Sequence, residues 1–147
     1  MKIEIRYQSR GGNTRAVAET IAGVLGVKAE SIDVPIEGAV DVLFLGGGVY
    51  KWAADPRLIK FLKKLDPDKV GQIVAFSTTG AMKTAIARIT KYAQKAGIKV
   101  NENWLCIKMM FQGHSALGRE GGHLTDNQIA DIKQFTSDVL GGLQGNY

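Results

Sequence analysis

Tyr7-Gln8-Ser9-Arg10-Gly11-Gly12-Asn13-Thr14 joins an extended segment, Lys2 to Tyr7, to a helical one, Asn13 to Leu25. A turn of this kind presents several backbone N–H groups at the positive end of a helix, where a phosphate is held without a dedicated cation. The glycines let the chain approach an anion closely, since no Cβ bars φ > 0. Ser9 and Thr14 add hydroxyl donors, and Asn13 is expected to cap the helix. A phosphorylated ligand is therefore the leading expectation.

Outward from this turn, strand and helix patterns alternate. In the helix after it, Val17, Ile21, Val24 and Leu25 share a face, and Gly26 is a natural stop. Val27 to Asp33 reads as a polar strand suited to a sheet edge, and Val40 to Leu45 as a strand buried on both faces. Asp55-Pro56 opens a helix with Leu58, Phe61, Leu62 and Leu65 inward, closed by Asp66-Pro67. Gln72 to Ser77 is a further buried strand, followed by a helix over Ala81 to Ala96 with Met82, Ala85, Ile86, Ile89 and Ala93 in a stripe. Trp104 to Phe111 is the last long apolar run. Thr125 and Gln128 have capping-box spacing for a closing helix, with Ile129, Ile132, Phe135 and Val139 inward and Gly141-Gly142 as its end. Five strands interleaved with four helices predict an α/β fold, a doubly wound parallel sheet between two helical layers. Residues 1–147 fit a single domain. One feature runs against the pattern: Glu4 and Arg6 alternate with Ile3, Ile5 and Tyr7 in the first strand. Either the two charges pair under thin cover, or that face meets a second subunit in a homodimer.

The chain is 45% apolar and 22% charged, ordinary for a soluble domain. No apolar run approaches the ~18 residues of a membrane span, and the start lacks the apolar core of a signal peptide. A lone cysteine, Cys106, excludes an internal disulfide and fits a reducing, cytoplasmic setting. Cys106, Met109 and Met110 read as packing. His114 and His123 have no cysteine or carboxylate cluster beside them in the sequence, so no metal is expected, although His114 could serve as a proton donor at a pocket. Nineteen basic residues against 14 acidic ones give a net charge of +5. The basic residues fall at helix-surface spacing, with no arginine-rich tail or aromatic RNA-binding signature. A solvated surface is the expectation, and nucleic acid is not.

In open α/β sheets, ligands bind beyond the carboxyl ends of the strands. Three such ends carry suitable chemistry: Ser9 to Thr14, the loop Gly46 to Asp55, and Ser77-Thr78-Thr79-Gly80-Ala81-Met82. The middle loop sets Tyr50 and Trp52 on a flexible backbone, where a planar heteroaromatic ring has something to stack on.

On these residues the chain resembles the flavodoxin family. Ser9 to Thr14 is similar to that family's hydroxyl-x-hydroxyl-Gly-Asn-Thr phosphate loop, and Arg15-Ala16-Val17-Ala18-Glu19 continues it. The likeness extends through Asp41 to Gly46, the Ser77 loop and the helix start at Gly122-His123-Leu124-Thr125. The resemblance implies a flavodoxin-like five-stranded sheet of order 2-1-3-4-5 and FMN as cofactor. By position, Ser9, Arg10, Gly11, Gly12, Asn13 and Thr14 would hold the phosphate. Gly48, Val49, Tyr50, Lys51 and Trp52 would flank one side of the isoalloxazine, and Thr78, Thr79, Gly80 and Ala81 the other.

Three departures bear on function. Gly11 stands where the family usually has a hydroxyl, one hydrogen bond fewer, a loss of about 0.5–1.5 kcal/mol. The third loop has no aromatic or acid, which would leave one ring face open to substrate. Carrier flavodoxins are acidic and this chain is basic, which would raise the potential of a bound flavin. The expectation is an FMN-binding redox protein that transfers electrons to a redox partner protein or a small-molecule acceptor. The alternatives are an FMN-dependent oxidoreductase of a quinone, nitro compound or porphyrin precursor, and a flavin-free binding or regulatory module on the same fold. A phosphoacceptor receiver is disfavoured, because the first strand ends in Tyr7-Gln8-Ser9 without an acid. A nucleotide hydrolase is disfavoured because no Gly-Lys-Ser/Thr follows a glycine loop.

Overall fold

Apolar runs buried on both faces, separated by amphipathic helices, settle into a parallel sheet with a helical layer on each side. The computed structural model describes residues 1–50, 53–79, 84–109 and 122–145. In chain order the elements are β1 (Ile3–Gln8), α1 (Asn13–Leu25), β2 (Ala29–Ser31), β3 (Val40–Tyr50), β4 (Ala53–Ala54), α2 (Pro56–Lys63), β5 (Val70–Thr79), α3 (Thr84–Lys95), β6 (Lys99–Val100), β7 (Leu105–Lys108) and α4 (Asp126–Gly145). The strands lie in the order β2-β1-β3-β5, with β6 and β7 both paired to the outer edge of β5. These pairings are parallel. The expected order 2-1-3-4-5 therefore holds, its fifth position shared by two short strands. No described helix is long and apolar enough to cross a membrane.

Through the middle of the sheet two cores separate by strand parity, while Val40 and Val70 at the strand starts join the second. Val17 and Ile21 of α1 and Ile132 and Val139 of α4 pack on Ile5, Val42, Phe44, Val74 and Phe76. Leu58 and Leu62 of α2 and Ile86, Ile89 and Ala93 of α3 pack on Leu43, Leu45, Ile73 and Ala75. Successive strand residues face opposite layers, so the middle stretches of the covered strands, Val42 to Leu45 and Ile73 to Phe76, are apolar on both faces.

Helix ends follow their capping residues. Gly26, at φ 69°, closes α1 by donating its N–H to Ala22 O at 2.9 Å. Asp55 caps α2, accepting from the Arg57 N–H at 2.9 Å. Thr125 and Gln128 form the expected reciprocal capping box, at 3.0 and 3.1 Å.

Four local expectations change. The cap of α1 is Gly12, at φ 96°, and Asn13 is the first helical residue. Gly46 to Gly48 extend β3 rather than forming a loop, because missing side chains make room for neighbours. A Cβ on Gly46 would overlap the Phe76 ring, and one on Gly47 would overlap Leu58. Gly141-Gly142 does not end α4, since Leu143, four residues beyond Val139, is buried in the same core and holds the helix through the glycines. The last apolar run, Trp104 to Phe111, starts its strand only at Leu105, and a separate short strand, β6, precedes it: Asn101 N–H bonds Ile73 O at 2.8 Å and its amide bonds Gln72 Oε1 at 3.0 Å. The Asn103 N–H then turns back onto Asn101 Oδ1 at 2.9 Å, which leaves Trp104 outside the strand and exposed.

The charges in β1 pair beneath thin cover. No helix joins β2 to β3, and the connecting segment crosses that face of the sheet. Arg6, 3% exposed, donates to Val34 O at 2.9 Å, Pro35 O at 3.1 Å and Ile5 O at 3.1 Å. Glu4 and Glu30 lie 3.8 and 3.7 Å from its guanidinium. Several acceptors and two carboxylates satisfy a charge that burial would otherwise make costly.

Candidate functional site

The chain leaves β1 for β2 on one side and β3 on the other, so the carboxyl end of β1 lies at the point where strand order reverses. Ser9 to Asn13 sit there, Arg10 exposed and the others half-buried. The first intrahelical bond of α1 runs from Ala16 N to Gly12 O at 3.0 Å. The N–H groups of Asn13, Thr14 and Arg15 therefore have no intrahelical acceptor. The helix start carries no side-chain cap bond and no acid in its first turn. These are the features of an anion site.

Each side chain of the turn is held by a partner distant in sequence or by the turn itself. Ser9 Oγ accepts the Gly12 N–H at 3.0 Å, which keeps its own proton available to donate. Asn13 Oδ1 accepts the Gly122 N–H at 2.7 Å, pinning the segment before α4 against the turn. A Cβ on Gly122, at φ 95°, would come 3.2 Å from Gly12 O, so glycine suits this approach. Thr14 is fully buried, its hydroxyl 2.7 Å from that of Thr78 at the end of β5. Thr14 thus contributes its backbone N–H to the turn, while its hydroxyl ties the first expected loop to the third.

Arg10 Nε lies 2.7 Å from Asp55 Oδ2, which ties the first loop to the second. Asp55 is 1% exposed. Burial by itself pushes its carboxyl up, but hydrogen bonds from the Arg57 backbone and side chain and from Arg10 outweigh it. The net effect holds the carboxyl below its ordinary value. The ionised Asp55 holds the guanidinium beside the helix start, where positive charge favours an anion.

Of the residues expected around a ring, Gly48 is buried in β3 and pairs with Thr78. The backbones of Val49 and Tyr50 pair antiparallel with Ala54 and Ala53, and Thr79 ends β5. Lys51, Trp52, Gly80 and Ala81 lie outside the described residues, as do Met82, Met110 and His114. Met109 is buried as expected, Cys106 is half-buried, and His123 is exposed. Among the described residues no group of His, Cys, Asp or Glu could hold a metal ion.

Sequence reading missed two residues. Asp55 was legible only as a helix cap. Gln8, the last residue of β1, is 3% exposed, and its Oε1 has no hydrogen-bond partner among the described residues. An orphaned acceptor beside an uncapped helix start fits a ligand that carries hydroxyl or N–H donors as well as a phosphate. FMN has both, in its ribityl chain and its phosphate, so the donor and acceptor set fits that group.

A family model described as a flavodoxin domain matches residues 4–114. No curated protein sequence matches the chain. Among solved structures, the chain is similar to a flavodoxin from the domain Archaea, with TM-score 0.76, 20% identity and coverage of 98% of this chain and 99% of that one. It is similar to a flavoprotein of Lactobacillus acidophilus in complex with FMN, with TM-score 0.56, 16% identity and coverage of 74% and 94%. Rubredoxin:oxygen oxidoreductase of Desulfovibrio gigas gives TM-score 0.71 at 14% identity, over 98% of this chain and 36% of that larger one.

Proposed function

The chain belongs to the flavodoxin domain family, and from that premise we propose that it binds FMN and transfers electrons through it. Family membership supports FMN as the cofactor. The observation that carries the reading is the uncapped, acid-free start of α1 at the strand-order reversal, with Arg10 fixed beside it by Asp55.

In this reading the N–H groups of Asn13, Thr14 and Arg15 hold the phosphate, Gly11 and Gly12 let the backbone approach it, and the Ser9 hydroxyl and Arg10 are the side-chain donors. Gln8 Oε1 gains a donor from the ligand. Gly48 to Trp52 and Thr78 to Ala81 flank the ring. When bound, the flavin supplies one- or two-electron redox chemistry, while the protein supplies position and electrostatics. Basic side chains near the site favour added negative charge and so raise the potential.

A small-molecule reductase is the second reading, favoured by the third loop, which has neither aromatic nor acid between Ser77 and Met82. Anaerobic reductive titration of the purified yellow protein separates the two. Bleaching in two resolved phases supports the carrier. Bleaching in one phase, with steady turnover of an added quinone, supports the reductase. A protein that neither retains flavin nor takes up added FMN at micromolar concentration contradicts both.

A further inference from the structure

The net charge of the chain is not spread over its surface. Helices α2 and α3 pack side by side on one face of the sheet. Arg57, Lys60, Lys63, Arg88, Lys91 and Lys95 project from them, and neither helix contains an acid. Lys64 follows directly, and Asp66 and Asp68 lie in the turn beyond. On the opposite layer, α1 and α4 carry Arg15 and Lys133 against Glu19, Asp126, Asp131 and Asp138. The fold thus sorts a mildly basic sequence into a strongly basic face and a mildly acidic one.

Three ammonium groups on the basic face converge on one ring. Lys63 Nζ, from α2, lies 5.4 Å from the Tyr92 centroid, with Lys91 and Lys95 of α3 at 5.7 and 5.5 Å. The ring's negative face offsets part of their mutual repulsion. Among the described residues, no ion pair involves these lysines. The face also begins at the candidate site: Asp55, which holds Arg10, caps α2, and α3 follows the β5 end that carries Thr78.

We infer that the outer face of α2 and α3 docks an acidic partner protein that exchanges electrons at the adjoining site. This rests on the FMN reading for the exchange, but not for the docking. Charge of one sign along both helices, from their starts beside the site to the lysine cluster in their last turns, would attract such a partner and guide it toward the site. Nucleic acid fits less well, because the tyrosine face is already covered by ammonium groups and offers no platform for a base. A lipid surface fits less well, because the exposed large apolar side chains among the described residues, Met1, Val34 and Trp104, lie off both helices.

The test uses a small acidic [2Fe–2S] ferredoxin as probe. Its binding to the protein is read by fluorescence anisotropy with and without FMN, and flavin reduction by the reduced probe is read in stopped flow. Wild type is compared with Lys63→Glu/Lys91→Glu/Lys95→Glu and with a charge-matched control, Lys2→Glu/Lys28→Glu/Lys133→Glu. Wild-type binding and rate are expected to fall at least about tenfold between about 0.02 and about 0.3 M salt. The α2–α3 variant should lose at least about tenfold at low salt, and the control should lose much less. Equal losses in both variants, or no salt dependence in wild type, overturn the proposal. So does retention of duplex DNA or phosphatidylserine vesicles near physiological salt through these lysines without ferredoxin binding. Binding without flavin reduction leaves the docking intact and bears on the FMN reading alone.

Discussion

The hydroxyls of Thr14 and Thr78 meet at 2.7 Å, both residues buried, and link the first turn of α1 to the end of β5. This bond joins two of the three strand ends around the candidate site. Thr14→Val or Thr78→Val leaves the other hydroxyl buried without a partner, at about 1–3 kcal/mol each. The double variant should cost less than the sum, because neither orphan then remains. Denaturant unfolding of the four proteins measures the coupling, and strict additivity contradicts the link.

Asp55→Asn isolates a charge from a cap. Asparagine caps a helix about as well as aspartate, so α2 should keep its start while Arg10 loses its counter-ion. The Asp55 carboxyl is held below its ordinary value. Its stabilisation is therefore present above about pH 4 and lost as pH falls through the lower folded-state value. Thermal melts at neutral and acid pH should show wild type ahead of D55N at neutral pH and the gap closing in acid. A gap independent of pH contradicts the assignment.

Gly46→Ala places a methyl inside the Phe76 ring. Over-packing of this kind costs about 1–3 kcal/mol, and Phe76→Leu in the same chain should recover part of it. Melting temperatures that fall equally for G46A in both backgrounds would falsify the contact.

The start of α2, the end of α1, the start of α4 and the buried strands were legible because their signals are local: a proline after Asp55, a glycine after Leu25, a capping box at Thr125. The length of β3 was not, because Gly46 and Gly47 are explained only by Phe76 and Leu58, which reach them through the fold. The tether from Arg10 to Asp55 spans 45 residues, and no local pattern announces it. The convergence of Lys63 with Lys91 and Lys95 escaped for the same reason: helix-surface spacing shows that lysines are exposed, not which helices stand together.

Gln8→Met separates stability from binding. Buried and unpaired among the described residues, Oε1 costs the folded chain, and in this account a ligand donor satisfies it. The apoprotein should be as stable as wild type, or more stable by up to about 1 kcal/mol. FMN affinity should fall about five- to tenfold, the loss of one hydrogen bond. Unchanged affinity in an isothermal titration removes Gln8 from the site.

Whether the amides at the start of α1 grip a phosphate is tested most directly by titrating the flavin-free protein with FMN and, separately, with riboflavin, following flavin fluorescence. FMN should bind at micromolar concentration or below, and riboflavin at least about a hundredfold more weakly. Equal affinity for the two, or none for FMN, contradicts the account.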